Sequence, residues 1–139
     1  MKLPNVLSEG FLKAMPEAER KQLGRAGMTN AEANQRRIEH NEKELQRQVH
    51  NWLLREGIYF VNPRMDRKTT TSKGTPDFIA CVNGRGDGLF LGIECKADRN
   101  TLTSEQAREA NHIRMSKGRF IVAFCLNDVI QAIRELRAK

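Results

Sequence analysis

Residues 74–96 read Gly-Thr-Pro-Asp-Phe-Ile-Ala-Cys-Val-Asn-Gly-Arg-Gly-Asp-Gly-Leu-Phe-Leu-Gly-Ile-Glu-Cys-Lys, two apolar runs joined by a glycine-rich connection. This pattern is typical of a β-hairpin. Because strand side chains alternate between faces, Glu94 and Lys96 lie on the same face of the second strand. A hairpin that is symmetric about the middle of its connection places Asp77 opposite Glu94. The stretch therefore predicts two carboxylates and one ammonium group on a single patch of sheet.

Two carboxylates this close repel each other, so one of them keeps its proton unless a cation lies between them. Mg²⁺ is a hard cation that is typically bound by one or two carboxylates, water and substrate phosphate. Lys96 beside such an ion would orient an attacking water or balance phosphate charge, which suits phosphodiester hydrolysis. The alternative interpretation is a salt bridge on an exposed sheet face, with Asp77 as a turn residue after Pro76.

Pro76-Asp77 followed by Glu94-Cys95-Lys96 resembles the PD-(D/E)xK nuclease signature. The segment 73–77, Lys-Gly-Thr-Pro-Asp, is similar to the VRR-NUC branch of that superfamily, the virus-type replication and repair nucleases. The resemblance covers about residues 40–135. It implies an α/β fold with a restriction-endonuclease-like core, in which helices flank a mixed four-stranded sheet. It also implies a metal-dependent endonuclease that leaves 5′-phosphate and 3′-hydroxyl ends.

The resemblance further implies which groups would hold Mg²⁺, or Mn²⁺ in its place. Lys96 would be the catalytic lysine, and the family completes its metal site with a glutamate on the first core helix. Glu44 matches this role best, because it lies beside Leu45 in the apolar helical stripe, and Glu42 competes for it. The alternative for Glu44 is an ordinary solvated helix glutamate. The predicted metal ligands are Glu44, Asp77, Glu94 and the main-chain carbonyl of Cys95.

Thr103 and Gln106 have the spacing of a capping box, which predicts a helix that begins just after Thr103. This structural role explains Gln106 by itself. The resemblance adds a second role, since a glutamine at this distance after the lysine often lies near the active site. Gln106 is therefore also a candidate catalytic residue. Thr29 and Glu32 form a similar pattern before a long helix that Gly57 ends.

A polar and basic connection runs from Asn62 to Lys73, ahead of the hairpin. Cationic side chains beside a metal site are suited to hold the phosphate backbone of DNA. The alternative is a connection that is merely soluble. The predicted DNA contacts are Arg64, Arg67, Lys68, Lys73 and Arg99.

Composition favours a soluble globular protein with an anionic partner. The chain has 139 residues and a formal net charge of +7, which attracts nucleic acid without specifying a site. No apolar run reaches the ~18 residues that a membrane span needs, and no signal peptide is recognisable. We therefore expect no membrane association and a cytoplasmic location, or the interior of a host cell if the origin is viral. The three cysteines lie in predicted strands, so we expect buried free thiols.

The predicted organisation is a helical N-terminal extension over residues 1–40 and a nuclease domain over residues 41–139. The helix segment from Ala31 to Lys43 is polar almost all round, so it would face solvent, DNA or a second subunit.

Small VRR-NUC proteins resemble junction-resolving enzymes, so the resemblance predicts a homodimer that cuts branched DNA such as a Holliday junction. The alternative within the same class is a general or nicking DNA nuclease in replication or repair. The alternative from another class is a basic nucleic-acid-binding module without catalysis, which leaves Asp77, Glu94 and Lys96 unexplained.

Overall fold

The computed structural model describes residues 16, 29–63, 73–84, 86–98 and 100–138 of the chain. The elements in chain order are α1 (Asn30–Arg55), β1 (Tyr59–Val61), β2 (Phe78–Asn83), β3 (Gly88–Cys95), α2 (Ser104–Met115), β4 (Arg119–Ala123) and α3 (Leu126–Ala138). The chain divides into two compact units, Met1–Asn41 and Glu42–Lys139. None of the helices in the described ranges is long and apolar enough to cross a bilayer.

The described part of the first unit is the start of α1. Thr29 Oγ1 accepts a hydrogen bond from Glu32 N at 3.1 Å, and Glu32 Oε2 accepts one from Thr29 N at 3.2 Å. These reciprocal bonds are the predicted capping box, and they satisfy backbone N–H groups that the first helical turn leaves unpaired. Most side chains from residue 30 to residue 41 are exposed, with Ala33 and Ile38 half-buried. The segment is therefore polar and exposed, as the sequence predicted.

The second unit is built on a mixed four-stranded sheet in the order β1-β2-β3-β4. Strands β1, β2 and β3 are antiparallel, and β4 runs parallel to β3. In the hairpin, Phe78 pairs with Ile93 and Asn83 pairs with Gly88, so the predicted symmetric register is confirmed. Because two parallel neighbours need a crossover connection, α2 lies between β3 and β4 in the chain.

The hydrophobic core lies on one face of this sheet. Alternate residues of β2 and β3 point to it, and α1 and α3 cover it with apolar stripes at helical spacing. The mixed sheet with flanking helices confirms the predicted fold class. The largest fully buried side chains of this core are those of Phe78, Leu53, Leu91, Ile93, Ile133, Val49, Val82, Val129 and Cys95.

The opposite face of the sheet is covered only in part. Helix α2 packs over β3 and β4, where Ile113 lies against Gly92 and Phe120. Cys81 of β2 pairs with Tyr59 of β1 on one side and with Phe90 of β3 on the other. All three residues are exposed. Beyond α2, this face of the sheet therefore presents apolar side chains to solvent.

The prediction of three buried thiols is confirmed for Cys95 and wrong for Cys81 and Cys125. Cys81 lies on the part of the sheet that α2 does not cover. Cys125 lies in the bend between β4 and α3, because β4 ends at Ala123 rather than continuing to Leu126 as its apolar run suggested.

Candidate active site

The two hairpin strands bring the carboxylates of Asp77 and Glu94 to the same end of the sheet. Glu94 Oε2 accepts a hydrogen bond from Asp77 N at 3.3 Å, and Asp77 Oδ2 accepts one from Cys95 N at 2.8 Å. Each strand thus holds the acidic side chain of the other through its backbone. These bonds continue the hairpin register one position beyond the Phe78–Ile93 pair.

Lys96 lies in the same cluster. Its Nζ atom is 3.7 Å from Glu94 Oε1, and the two side chains are only 8% and 4% exposed. Lys96 N donates to the carbonyl of Ala123 at 2.9 Å, which ties the first residue after β3 to β4. A buried ammonium group is costly to desolvate unless it is paired. The interpretation of this cluster as a salt bridge on an exposed face is therefore wrong.

The electrostatics of the cluster favour an added proton or cation. Burial raises the pKa of Glu94 to about 8, with a further contribution from the negative charge of Asp77, while Lys96 acts in the opposite direction. Burial also raises the pKa of Asp77, against the lowering effect of its hydrogen bond from Cys95 and of Lys96. One ammonium group does not balance these carboxylates, so without another cation Glu94 holds a proton near neutral pH.

The helix glutamate at this cluster is Glu42 rather than Glu44. Glu42 Oε1 accepts hydrogen bonds of 3.3 Å from Ala97 N and Asn100 Nδ2. Glu44 instead forms an ion pair with Arg47 at the helix surface. Residues two positions apart on a helix point about 200° apart, so both glutamates cannot face the same cluster. The structure thus reverses the order in which the sequence ranked these two candidates.

Gln106 makes both of the contacts that the sequence suggested. It completes the capping box with Thr103, through bonds of 2.9 Å and 3.2 Å. Its Nε2 atom also donates to Glu94 Oε1 at 2.7 Å. The first turn of α2 is therefore tied directly to the carboxylate pair, while the part of Gln106 in catalysis stays a prediction.

Gly74 is a residue of this site that the sequence did not single out. Its backbone has φ +91°, and a Cβ atom there would lie 2.5 Å from both the carbonyl carbon and the carbonyl oxygen of Glu105. The turn that leads into Pro76-Asp77 thus lies directly against the first turn of α2. The sequence signal for this contact was a glycine two positions before Pro76. The family resemblance did not indicate why a glycine is needed there.

Among the predicted DNA contacts, the structure describes Lys73. Its side chain is 83% exposed, and Nζ lies 3.8 Å from Glu105 Oε1. An exposed pair of this kind contributes little to stability, so Lys73 stays available to a phosphate group. The other predicted contacts lie outside the described residues: Arg64, Arg67, Lys68 and Arg99.

The donor chemistry of the cluster fits a hard divalent cation, since the carboxylates of Asp77 and Glu94 lie beside one ammonium group and the charge of Glu42 acts on both. In the described part of the chain, however, no three acidic, histidine or cysteine side chains are already arranged as a metal cage. Asp77 and Glu94 keep acceptor lone pairs beyond the bonds that they accept from the backbone and from Gln106, so these bonds do not prevent them from binding a metal. The ligand roles of Asp77, Glu94 and the Cys95 carbonyl stay predictions.

Comparison with known proteins finds a similar fold. No protein-family model and no curated protein sequence matches the chain. A solved structure titled "VRR_NUC domain" is similar to it, with a TM-score of 0.52 and 18% sequence identity over 68% of this chain and 95% of the other. At this identity the similarity shows a shared fold. The VRR-NUC resemblance read from the sequence is thus supported at the level of the fold.

Gly74→Ala should destabilise the protein, because the added methyl group overlaps the backbone of Glu105. We expect the free energy of unfolding, measured in urea, to fall by about 2–4 kcal/mol from backbone strain and overlap together. Gly86→Ala is the matched control, since Gly86 has φ +90° but no atom within 4 Å of the added Cβ. The control should lose about 1–2 kcal/mol from strain alone. Equal losses would show that the close approach at Gly74 imposes no constraint.

The metal-free protein should become less stable as the pH rises. The pKa of Glu94 is about 8 in the folded chain, against an ordinary value of 4.5. A carboxyl group raised in this way favours folding fully below its unfolded-state pKa, and the contribution is lost as the pH rises through the folded-state value. The Tm measured in EDTA should therefore drop between about pH 4.5 and pH 8.

Glu94→Gln tests the origin of that slope. The amide does not titrate, so the variant should show a flatter dependence of Tm on pH, with a residual slope from Asp77, whose pKa is also raised. The absolute Tm of the variant is a poorer readout, because the substitution also removes a hydrogen-bond acceptor. Glu94 accepts bonds from two donors through its two oxygens, whereas the glutamine amide has one acceptor oxygen. A slope as steep as that of the wild type would rule out Glu94 as its source.

Proposed function

We propose that this chain is a Mg²⁺-dependent endodeoxyribonuclease of the VRR-NUC type, in which Mn²⁺ substitutes for Mg²⁺. The observation that carries the proposal is the interlocked Asp77–Glu94 pair with Lys96 buried beside it. Three ionisable groups desolvated together at the end of a hairpin destabilise the fold, so a functional use explains them better than a structural one. The shared fold with a VRR_NUC domain supports the same assignment.

In the proposed mechanism, Asp77, Glu94 and Glu42 would hold the metal together with the carbonyl of Cys95. A divalent cation held there would lower the pKa of bound water and would neutralise charge on the scissile phosphate. Lys96 positions the water in line with the phosphorus–O3′ bond. Breaking that bond leaves a 5′-phosphate and a 3′-hydroxyl end.

Gln106 serves as a positioning residue in this mechanism. Its hydrogen bond to Glu94 Oε1 restrains the carboxylate, and its capping bonds with Thr103 hold the amide itself in place. The capping box and the active site therefore depend on the same side chain.

We propose that the substrate is DNA recognised through its backbone and shape. The net charge of +7 supplies sequence-independent attraction, and the exposed Lys73 adjoins the hairpin site. Backbone contacts fix the position of a protein on DNA without reading its sequence. This mode of binding suits an enzyme that selects branched DNA.

We further propose that the protein acts as a homodimer on four-way junctions. Each chain contributes one hairpin site, whereas symmetric cutting of two strands needs two sites related by a two-fold axis. The exposed polar residues 31–41 of α1 are the candidate dimer or DNA contact. Sedimentation of the protein at micromolar concentration, alone and with a junction, should give two chains per particle. A single chain in both conditions would contradict the dimer.

Lys96→Ala should lower the rate of DNA cleavage by at least about 100-fold, the contribution typical of a positioned catalytic group. DNA binding should be largely retained, because the buried lysine is not available to the phosphate backbone. The measurement is cleavage of a labelled four-way junction, flap, linear duplex and single strand with Mg²⁺ or Mn²⁺, beside a binding assay in EDTA. Arg134→Ala, at an exposed position of α3, is the control for loss of a positive charge and should still cut.

The same substrates separate the competing functions. Symmetric cutting of the junction alone supports a resolvase, and equal cutting of all four supports a general nuclease. Cutting by a pure Lys96→Ala preparation at the wild-type rate would overturn the assignment of Lys96. Tight DNA binding without cutting by the wild type would favour the non-catalytic nucleic-acid-binding module.

A further inference from the structure

An open apolar cleft of about 340 Å³ lies beside the end of α2. Its lining consists of Phe90, His112, Ile113, Ser116 and Gly118. Phe90 is 44% exposed, so a large part of its ring surface faces solvent. Gly118 keeps the cleft open, because a Cβ atom there would lie 2.9 Å from Ile113 Cγ2 and 3.1 Å from Phe90 Cδ1. The cleft thus combines an accessible aromatic ring with an imidazole and a hydroxyl group.

The cleft and the carboxylate site lie on the same face of the sheet. Phe90, Gly92 and Glu94 alternate along β3 toward one face. Phe90 and Glu94 are four residues apart, which is roughly 13 Å along a strand. Helix α2 connects the two places from above, since Gln106 contacts Glu94 and Ile113 lines the cleft. Gly92, between the two places, is buried against Ile113 and Pro76, so a DNA strand that reaches both would run beside α2 rather than between α2 and β3.

The charge around the cleft suits an anionic ligand with an aromatic body. Lys117 directly precedes Gly118 in the chain and is exposed. The guanidinium group of Arg114 lies over the Phe120 ring, 5.3 Å from its centroid, next to the same turn. Cations that border an apolar cleft fit phosphate groups on either side of a base that enters it.

We propose that this cleft binds an unpaired nucleobase of the DNA strand whose phosphate lies at the Asp77–Glu94 site. The base stacks on Phe90, and its polar edge meets His112 and Ser116. Base-on-aromatic stacking tolerates any sequence, because every base has a π-face. The cleft is at the small end of the range for ligand pockets, which suits one planar ring system rather than a peptide helix.

This inference rests on the proposed function and makes it more specific. A base inside a duplex is stacked and paired, so it enters the cleft only where the DNA offers an unpaired nucleotide near the cut. The enzyme would then prefer gapped, tailed or frayed DNA over a continuous duplex. The preference comes from the cleft and not from the metal site.

The test uses the full chain in EDTA and a duplex with a short single-stranded gap that contains 2-aminopurine. Wild type should quench the 2-aminopurine and bind the gapped DNA about tenfold more tightly than a continuous duplex. Phe90→Leu keeps an apolar side chain but removes the ring, so it should lose the quenching and the tenfold preference. Phe90→Tyr should keep both. Thermal melting confirms that the variants are folded.

Tyr59→Ala is the matched control, because Tyr59 is an exposed aromatic on the same sheet face outside the cleft. It should keep the preference for gapped DNA. No preference in the wild type, an unchanged preference in Phe90→Leu, or an equal loss in Tyr59→Ala would each overturn the inference.

Cleavage by the wild type with Mg²⁺, measured separately, distinguishes this inference from the proposed function. Cleavage without a gap preference overturns the base-binding cleft alone. A gap preference that depends on Phe90, without any cleavage, supports the cleft and overturns the nuclease.

Discussion

The structure of the second unit depends on two hydrogen bonds across the end of the hairpin. Asp77 N donates to the side chain of Glu94, and Cys95 N donates to the side chain of Asp77. A hairpin that ends in a buried and a half-buried acidic residue, Glu94 and Asp77, is stable only if their lone pairs are satisfied. The surrounding contacts provide for this. Gln106 bonds to Glu94, and Lys96 supplies a buried positive charge. Among the described residues, no buried side-chain polar atom is left without a hydrogen bond.

The satisfied hydrogen bonds do not remove the electrostatic conflict. Glu42 adds a third carboxylate whose charge raises the pKa of both Asp77 and Glu94. The carboxylates of the cluster therefore repel one another, and a bound proton or divalent cation relieves that repulsion. The fold therefore loses stability at the cluster where the proposed chemistry needs charged groups. Local losses of this kind are typical of functional sites.

Helix α2 links the carboxylate site to the rest of its sheet face. Its first turn carries Gln106 and presses against Gly74, while its last turns line the cleft at Phe90. Because α2 packs over β3 and β4, Tyr59 of β1 and Cys81 of β2 stay exposed on this face. This part of the sheet face is thus open to solvent.

The sequence by itself determined the hairpin, its register and the capping boxes, because each follows from residues close together in the chain. Period-two alternation placed Glu94 with Lys96, symmetry about the glycine-rich connection placed Asp77 opposite Glu94, and the spacing of Thr103 and Gln106 marked the start of α2. Only the tertiary structure decided that Glu42 rather than Glu44 faces the cluster and that Cys81 is exposed. It also revealed the close approach of Gly74 to Glu105. These features depend on how a helix is rotated and how far it extends over the sheet. Both are set by packing between distant segments, and no local pattern records them.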